Sequence, residues 1–426
     1  MKLETTCIQA GYRPKSGEPR VLPIAQSTTY KYSDAQTMSD LFTFDAAGHF
    51  YTRLSNPTLE AVELKITALE GGVGAMLTAS GQAASAAAIL TLCGAGDHVV
   101  ASAAIYGGTY NLFHVTLRRL GLDFTFVPPD ASDDAIAAAI QPNTRLIFGE
   151  TLSNPSLSVL DIARFADVAH RHHLPLFVDN TFATPALCRP FEHGADIITH
   201  STSKYMDGHA VALGGAVVDS GRFDWAASGR HPCMTDPDDS YHGLIYTEKF
   251  GTAAFINKAR AQGMRDIGYQ QSPQNAFLLN LGLETLPLRM ERHCQNALAI
   301  AQFLKTHPQV SWVNYSGLPD SPWYTLAQRY LPAGQSGVVC FGVKGGYETA
   351  AALMERVQII APVVHVCDLH SGIVHPASTT HGQLNEQQLA ECGVMPDGLR
   401  FSVGLEHIDD LMADLNQALE GKRGKS

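Results

Sequence analysis

From about residue 60 onward, the chain alternates between two hydrophobic periods. Apolar positions recur at helical spacing over 61–69 and again over 82–92, an alanine-rich stretch opening at Ser80-Gly81. Short, nearly uninterrupted apolar runs lie at 98–102, 124–127, 146–148 and 176–178. A strand sends alternate side chains to opposite faces, so a run apolar at successive positions is a strand covered on both sides. Strands of this kind separated by helices predict a mainly parallel sheet under helices, the α/β class. The opening residues are mixed and weakly periodic, and predict an arm. From about 257 the pattern changes: helical stretches at 275–286 and 291–306 precede apolar runs at 310–315 and 337–343, a smaller α+β region. The expected division is an N-terminal arm (1–50), a large domain (51–256) and a C-terminal domain (257–426). No repeats or low-complexity tracts interrupt it.

Composition narrows the picture. The 426 residues are 45% apolar and 17% charged, ordinary values for a globular chain long enough for two folding units. Thirty basic against 41 acidic side chains give a net charge of −11, which argues against nucleic acid and against a basic membrane patch. The first residues lack the apolar core of a secretory leader, and no apolar run approaches the ~18 residues of a membrane span. Eight cysteines are scattered at 7, 93, 188, 233, 294, 340, 367 and 392 with no Cys-x-x-Cys pair. That spacing predicts reduced thiols in a cytoplasmic protein, without a disulfide framework or zinc ribbon.

In open α/β sheets the ligand lies at the carboxyl ends of the strands. One apolar run here ends in Asp179, and the run 196–200 leads into Ser201-Thr202-Ser203-Lys204. That set suits pyridoxal phosphate. The lysine amine can bond to the aldehyde, the carboxylate can keep the pyridine nitrogen protonated, and the hydroxyls can bond the phosphate. Ser80-Gly81-Gln82 offers backbone N–H groups at a helix start, a ready phosphate site. Tyr106-Gly107-Gly108-Thr109-Tyr110 follows a strand and places an aromatic where a pyridine ring can stack. Tyr51-Thr52-Arg53 puts a planar guanidinium in a loop, a good match for a dianionic phosphate. Each motif alone has a plain structural reading: a surface lysine, an ordinary helix start, a core tyrosine, a solvated arginine. Competing chemistries lack their parts. Gly71-Gly72-Val73-Gly74 and Gly94-Ala95-Gly96 miss the third glycine of a dinucleotide fingerprint. Ser201-x-x-Lys204 lacks the downstream Ser-x-Asn and Lys-Thr-Gly of penicillin-recognising hydrolases. His170, His172 and His173 read as a basic helix tail, so no metal site is expected.

Together these motifs resemble the cysteine/methionine-metabolism family of pyridoxal-phosphate enzymes, of fold type I, from Glu4 to about Leu419. The pieces that carry the resemblance are Tyr51-Thr52-Arg53, Asn56-Pro57-Thr58, Ser80-Gly81, the Tyr106 to Tyr110 stretch and Val178-Asp179-Asn180-Thr181. To these are added Ser201-x-Ser203-Lys204, His375-Pro376-Ala377-Ser378 and Arg400-Phe401-Ser402-Val403-Gly404-Leu405-Glu406. Within the family, the stretches at 106–113, 238–244, 264–268 and 282–289 are most similar to O-acetylhomoserine sulfhydrylases. Methionine γ-lyases usually carry cysteine where this chain has Gly108. Cystathionine-handling members often carry glutamate where it has His370. One segment departs from sulfhydrylase habit. Where that group reads close to Asn-x-Gly-Asp-Ala-Lys-Ser, this chain has His365-Val366-Cys367-Asp368-Leu369-His370-Ser371, which the resemblance places beside the substrate carboxylate.

The resemblance implies a fold type I transferase: a mainly parallel large domain, a smaller α+β C-terminal domain and an N-terminal arm. It implies that Lys204 holds the cofactor, Tyr106 stacks on its ring, Asp179 pairs with its nitrogen and Thr181 lies among its contacts. Gly81, Gln82, Ser201 and Ser203 would take the phosphate, with Tyr51 and Arg53 entering from a neighbouring subunit. Arg400 would hold the substrate α-carboxylate, with Asn154 near the ring oxygen. Lys204, Tyr106 and Tyr51 form the implied catalytic set. The implied assembly is a homotetramer built from dimers that share active sites, and the implied setting is methionine biosynthesis. The implied reaction is γ-replacement, in which O-acetyl-L-homoserine and sulfide (or a small thiol) give L-homocysteine (or methionine) and acetate. A γ-lyase acting on methionine or cystathionine stays open as an alternative, as does a sulfhydrylase using the succinyl ester.

Overall fold

The computed structural model describes residues 1–379, 382, 389 and 394–421. Seven strands form the first sheet: β1 (Gly74–Thr78), β2 (His98–Ser102), β3 (Asp123–Val127), β4 (Thr144–Glu150), β5 (Leu176–Asp179), β6 (Ile197–His200) and β7 (Gly215–Asp219). Their order is β1-β7-β6-β5-β4-β2-β3. Neighbours from β6 to β3 are parallel, whereas β7 runs antiparallel to both β6 and β1. The expected parallel runs are all present. The antiparallel edge had no clear sequence signal, because its strands are five-residue segments opening on glycine.

Side-chain alternation explains the unbroken apolar runs. Leu176, Val178, Ile147 and Ile198 enter one core; Phe177, Leu146, Phe148 and Ile197 enter the core on the other face. Helix Pro57–Glu70 packs Leu59, Val62, Ile66 and Leu69 into the first core. Helix Gly81–Leu92 packs Ala84, Ala87, Ala88 and Ile89 into the second. Both faces are thus apolar, as a parallel sheet requires.

The second sheet contains β8 (Val310–Asn314), β9 (Val338–Val343), β10 (Ala361–Pro362), β11 (Gly372–Val374) and β12 (Gly398–Ser402), in the order β10-β11-β12-β9-β8. Helices Leu286–Thr306 and Ile408–Leu419 share its core with Phe341, Ile373 and Phe401.

Three expectations shift. The long helical stretch breaks at Thr285, and the second helix starts at Leu286 rather than 291, because Pro287 fits a first turn whose N–H groups have no helical acceptor. The arm holds two short helices, Leu3–Gln9 and Ala35–Phe42. The expected boundary between 256 and 257 falls inside helix Ala254–Lys258, whose continuation Ala259–Ile267 packs Met264 into the first sheet's core. Among the described residues no helix is long and apolar enough to cross a membrane, and seven cysteines are free. Cys392 lies outside the described residues.

Candidate active site

Strands β4, β5 and β6 end side by side and deliver the polar residues. Asp179 closes β5 and accepts the Thr181 N–H at 2.9 Å. Burial pushes its carboxyl above the usual carboxylate range, while bonds from Thr181 and Thr199 and the charge of His200 oppose the rise. Behind it, His200 and Glu70 form a fully buried contact of 2.6 Å. Asn180 donates to the same Glu70 oxygen at 3.1 Å and accepts the Thr151 hydroxyl at 2.8 Å.

A second carboxylate sits beside Asp179. Glu150, last residue of β4, is its direct register partner and accepts the Tyr106 N–H at 2.6 Å. Burial, reinforced by the charge of Asp179, pushes Glu150 well up. Glu150 thereby anchors the backbone of Tyr106 beside Asp179. The sequence reading missed it, although it too ends an apolar run with a carboxylate.

After β6 the chain turns. The Ser201 N–H donates to Thr181 Oγ1 at 2.8 Å. The Ser203 hydroxyl donates to Gly214 O at 3.1 Å and accepts the Gly214 N–H at 2.9 Å. Ser203 is thereby engaged in closing the 203–214 loop. Lys204 lies in the same turn, its Nζ 3.2 Å from His365 Nδ1. Burial pulls the amine below the ordinary lysine range; Arg400 reinforces this, and Cys367 and Asp368 oppose it.

Ser80 caps helix Gly81–Leu92 by accepting the Ala83 N–H at 3.1 Å, and the first-turn amides of Gly81 and Gln82 have no helical acceptor. A Cβ at Gly81 would lie 2.5 Å from Ser201 Cβ, so only glycine lets the helix start approach that turn. Gln82 accepts the Thr109 hydroxyl at 3.1 Å, tying the helix to the loop of Tyr106. The Tyr106 side chain is 47% exposed. A Cβ on Gly108 would come within 2.5 Å of Tyr106 Cε1, so the missing side chain sets where the ring lies.

Arg400, in the middle of β12, reaches in from the second sheet and is 4% exposed. It donates to Asn154 Oδ1 at 3.1 Å and to Val364 O at 2.9 Å, while its Nε has no hydrogen-bond partner among the described residues. Among the described residues it forms no ion pair. A buried guanidinium without a carboxylate is costly unless an anion arrives, and its pKa is lowered by that burial. The residues present therefore fit the expected cofactor and an amino-acid substrate. A helix start with free amides suits a phosphate, a buried carboxylate suits a pyridinium, a lysine held toward neutrality suits an aldehyde, and an unpaired arginine suits a carboxylate.

Tyr51 and Arg53 stand apart. Both are exposed, with the Arg53 guanidinium 5.3 Å from the Tyr51 ring centroid and hydrogen-bonded to Arg265 O. Among the described residues neither makes a hydrogen bond or ring contact with Asp179, Lys204 or Arg400. In the sequence His365 stands out only as a departure from the sulfhydrylase pattern; nothing in its local pattern places it on Lys204, 161 residues away.

A family model described as "Cys/Met metabolism PLP-dependent enzyme" matches residues 4–420. The chain is 44% identical over 420 residues to a homocysteine synthase from Schizosaccharomyces pombe, covering 98% of each chain. It is 44% identical to an O-acetyl-L-homoserine sulfhydrylase from Leptospira meyeri, covering 98% of this chain and 97% of the relative. A Campylobacter jejuni crystal structure, described as an O-acetylhomoserine (thiol)-lyase with a pyridoxyl-lysine monophosphate, superimposes with a TM-score of 0.96. It is 37% identical, covering 99% of this chain and all of that one.

Proposed function

This chain belongs to the pyridoxal-phosphate-dependent enzymes of cysteine and methionine metabolism, and from that premise we propose that it catalyses γ-replacement on O-acetyl-L-homoserine. The second substrate is sulfide, and the products are L-homocysteine and acetate. The observation that carries this reading is Arg400, a buried cation without a counter-ion among the described residues, in a chain whose nearly full-length relatives bear sulfhydrylase and homocysteine synthase names.

Each side chain then has a task. Arg400 and Asn154 hold the substrate α-carboxylate end. The Asp179 carboxyl, at the end of β5, would pair with the ring nitrogen and favour its cationic form. Tyr106 covers the ring face, with its backbone fixed by Glu150. The Gly81 and Gln82 amides and the Ser201 hydroxyl take the phosphate, and Ser203 supports them through Gly214. Pyridoxal phosphate, when bound, supplies an aldehyde for amines and a ring that accepts electrons. Lys204, as a free amine, would remove protons at the substrate's Cα and then Cβ, so that acetate can leave from Cγ. The closed cleft must exclude water until sulfide attacks, or the product becomes a keto acid and ammonia.

Tyr51 and Arg53 complete this plan as contributions to a neighbouring subunit's phosphate, since both are exposed on their own chain. The working assembly is then a tetramer of site-sharing dimers, in the cytoplasm. The functional units are the arm, a large domain running to about residue 270 at the end of the Ala259–Ile267 helix, and the remainder.

Borohydride reduction of the loaded protein followed by peptide mapping tests the core of the reading, and label on Lys204 is the expected result. Paired assays with O-acetylhomoserine and sulfide, and with methionine alone, test the reaction. Faster homocysteine formation is expected; faster keto-acid release from methionine would replace the transferase with a lyase.

A further inference from the structure

Lys204 has one close neighbour to which the roles above give no work. His365, between β10 and β11, sets Nδ1 3.2 Å from Lys204 Nζ. Its other ring nitrogen, Nε2, lies 3.6 Å from Asp368 Oδ2 and is buried without a hydrogen-bond partner among the described residues. Asp368 is in turn fixed, its Oδ1 accepting the His370 N–H at 2.7 Å. A carboxylate facing Nε2 favours the tautomer with its proton there, which leaves the Nδ1 lone pair aimed at the lysine.

The segment is braced to hold that geometry. Cys367 has φ 70, a left-handed conformation that a residue with a side chain rarely adopts. Its N–H donates to Ser402 Oγ at 2.7 Å, and Leu369 N–H donates to Gly208 O at 2.9 Å, which ties the segment to the lysine turn. The charged groups facing the imidazole are Lys204 and Arg400 on one side of the balance and Asp368 and Asp207 on the other.

We infer that His365 is a positioning residue for Lys204: Nδ1 orients the free amine and takes up the proton that the amine has removed from the substrate, with Asp368 balancing the imidazolium. This rests on the γ-replacement reading, which asks one amine to remove two protons, from Cα and then Cβ, before the Cγ–O bond breaks. In the transfer one N–H bond of the lysine ammonium breaks and one forms at Nδ1, regenerating the neutral amine. The proton returns by the same path, and no electrons are exchanged.

The test reads the imidazole directly. Deuterium exchange at the imidazole Cε1–H, followed by peptide mass spectrometry between about pH 5 and 9, gives the titration midpoint of His365 in the full chain freed of cofactor. Lys204→Ala removes a facing cation and should move the midpoint up by about one unit; Asp368→Asn removes a facing carboxylate and should move it down. A midpoint unmoved by both substitutions overturns the inference. In the loaded enzyme, His365→Asn should keep the cofactor's visible absorption and change KM for the acetyl ester less than about threefold. Its kcat should fall about tenfold or more, with a displaced pH profile. Wild-type kcat with an unchanged profile also overturns it. Failure of the γ-replacement reading would appear separately, as absent sulfide turnover in the wild-type enzyme, because the exchange measurement needs no substrate.

Discussion

At the carboxyl ends of the large sheet Asp179, Thr181 and Ser203 each bond nearby backbone through a side-chain oxygen, whereas Arg400 and His365, on the facing side, each keep a nitrogen without a hydrogen bond among the described residues. Asp179, Thr181, Ser201 and Ser203 sit in local hydrogen bonds of 2.8–3.1 Å. Across the cleft Arg400 Nε and His365 Nε2 make no hydrogen bond among the described residues, and Cys367 occupies a left-handed conformation. The first wall is preorganised before any ligand arrives. The second keeps a buried charge that only an incoming carboxylate can offset. On the proposed reading this difference divides the tasks: the large sheet would seat the cofactor, and the second sheet would select the amino acid.

The sharpest way to break this division is Asp179→Asn. An amide cannot offset a ring cation, so activity should fall about a thousandfold, the scale of a broken buried charge pair. Cofactor affinity should fall with it, as read by equilibrium dialysis. Near wild-type values would reduce Asp179 to a strand-end residue.

The contrast can also be followed away from the cleft. His231, on the large-sheet side, bonds Arg145 O and Ser228 Oγ, whereas among the described residues His293, beside the second sheet, bonds Val403 O and leaves Nε2 without a hydrogen bond. Burial holds both near a pKa of about 4, below the ordinary 6.5. The unfolded chain binds more protons in that interval, so each histidine's stability contribution is present above 6.5 and is lost as pH falls through 4. Each shift corresponds to roughly 3 kcal/mol as an upper figure. Urea unfolding at a series of pH values should show this acid loss. His293→Gln and His231→Gln should each flatten it, and an unchanged slope in both would refute the assignment.

Arg400→Gln tests the second wall alone. kcat/KM should drop about a hundredfold through KM, as for a lost charge-assisted pair, while the cofactor's spectrum stays unchanged. A spectrum lost together with KM would mean that the two walls are not separable.

The smallest effect is expected from Gly108→Cys. A side chain there must displace the Tyr106 ring, a local overpacking that should slow sulfide transfer about tenfold or less and raise methionine cleavage relative to it. An unchanged ratio of the two rates would remove Gly108 from the specificity account.

By itself the sequence determined the strands whose ends carry function. Doubly covered strands read as continuous apolar runs, and two of them stop at Asp179 and before Ser201-x-Ser203-Lys204. Ser80 and Gly81 were legible for a similarly local reason, since capping and close approach involve near neighbours. Tertiary structure alone decided which distant residues meet. Glu150 becomes the partner of Asp179 through sheet register, Asn154 meets Arg400 across 246 residues, and His365 reaches Lys204 across 161. Such pairings depend on strand order and on how the second sheet packs against the first, and the periodicity of side chains along a segment carries no record of either.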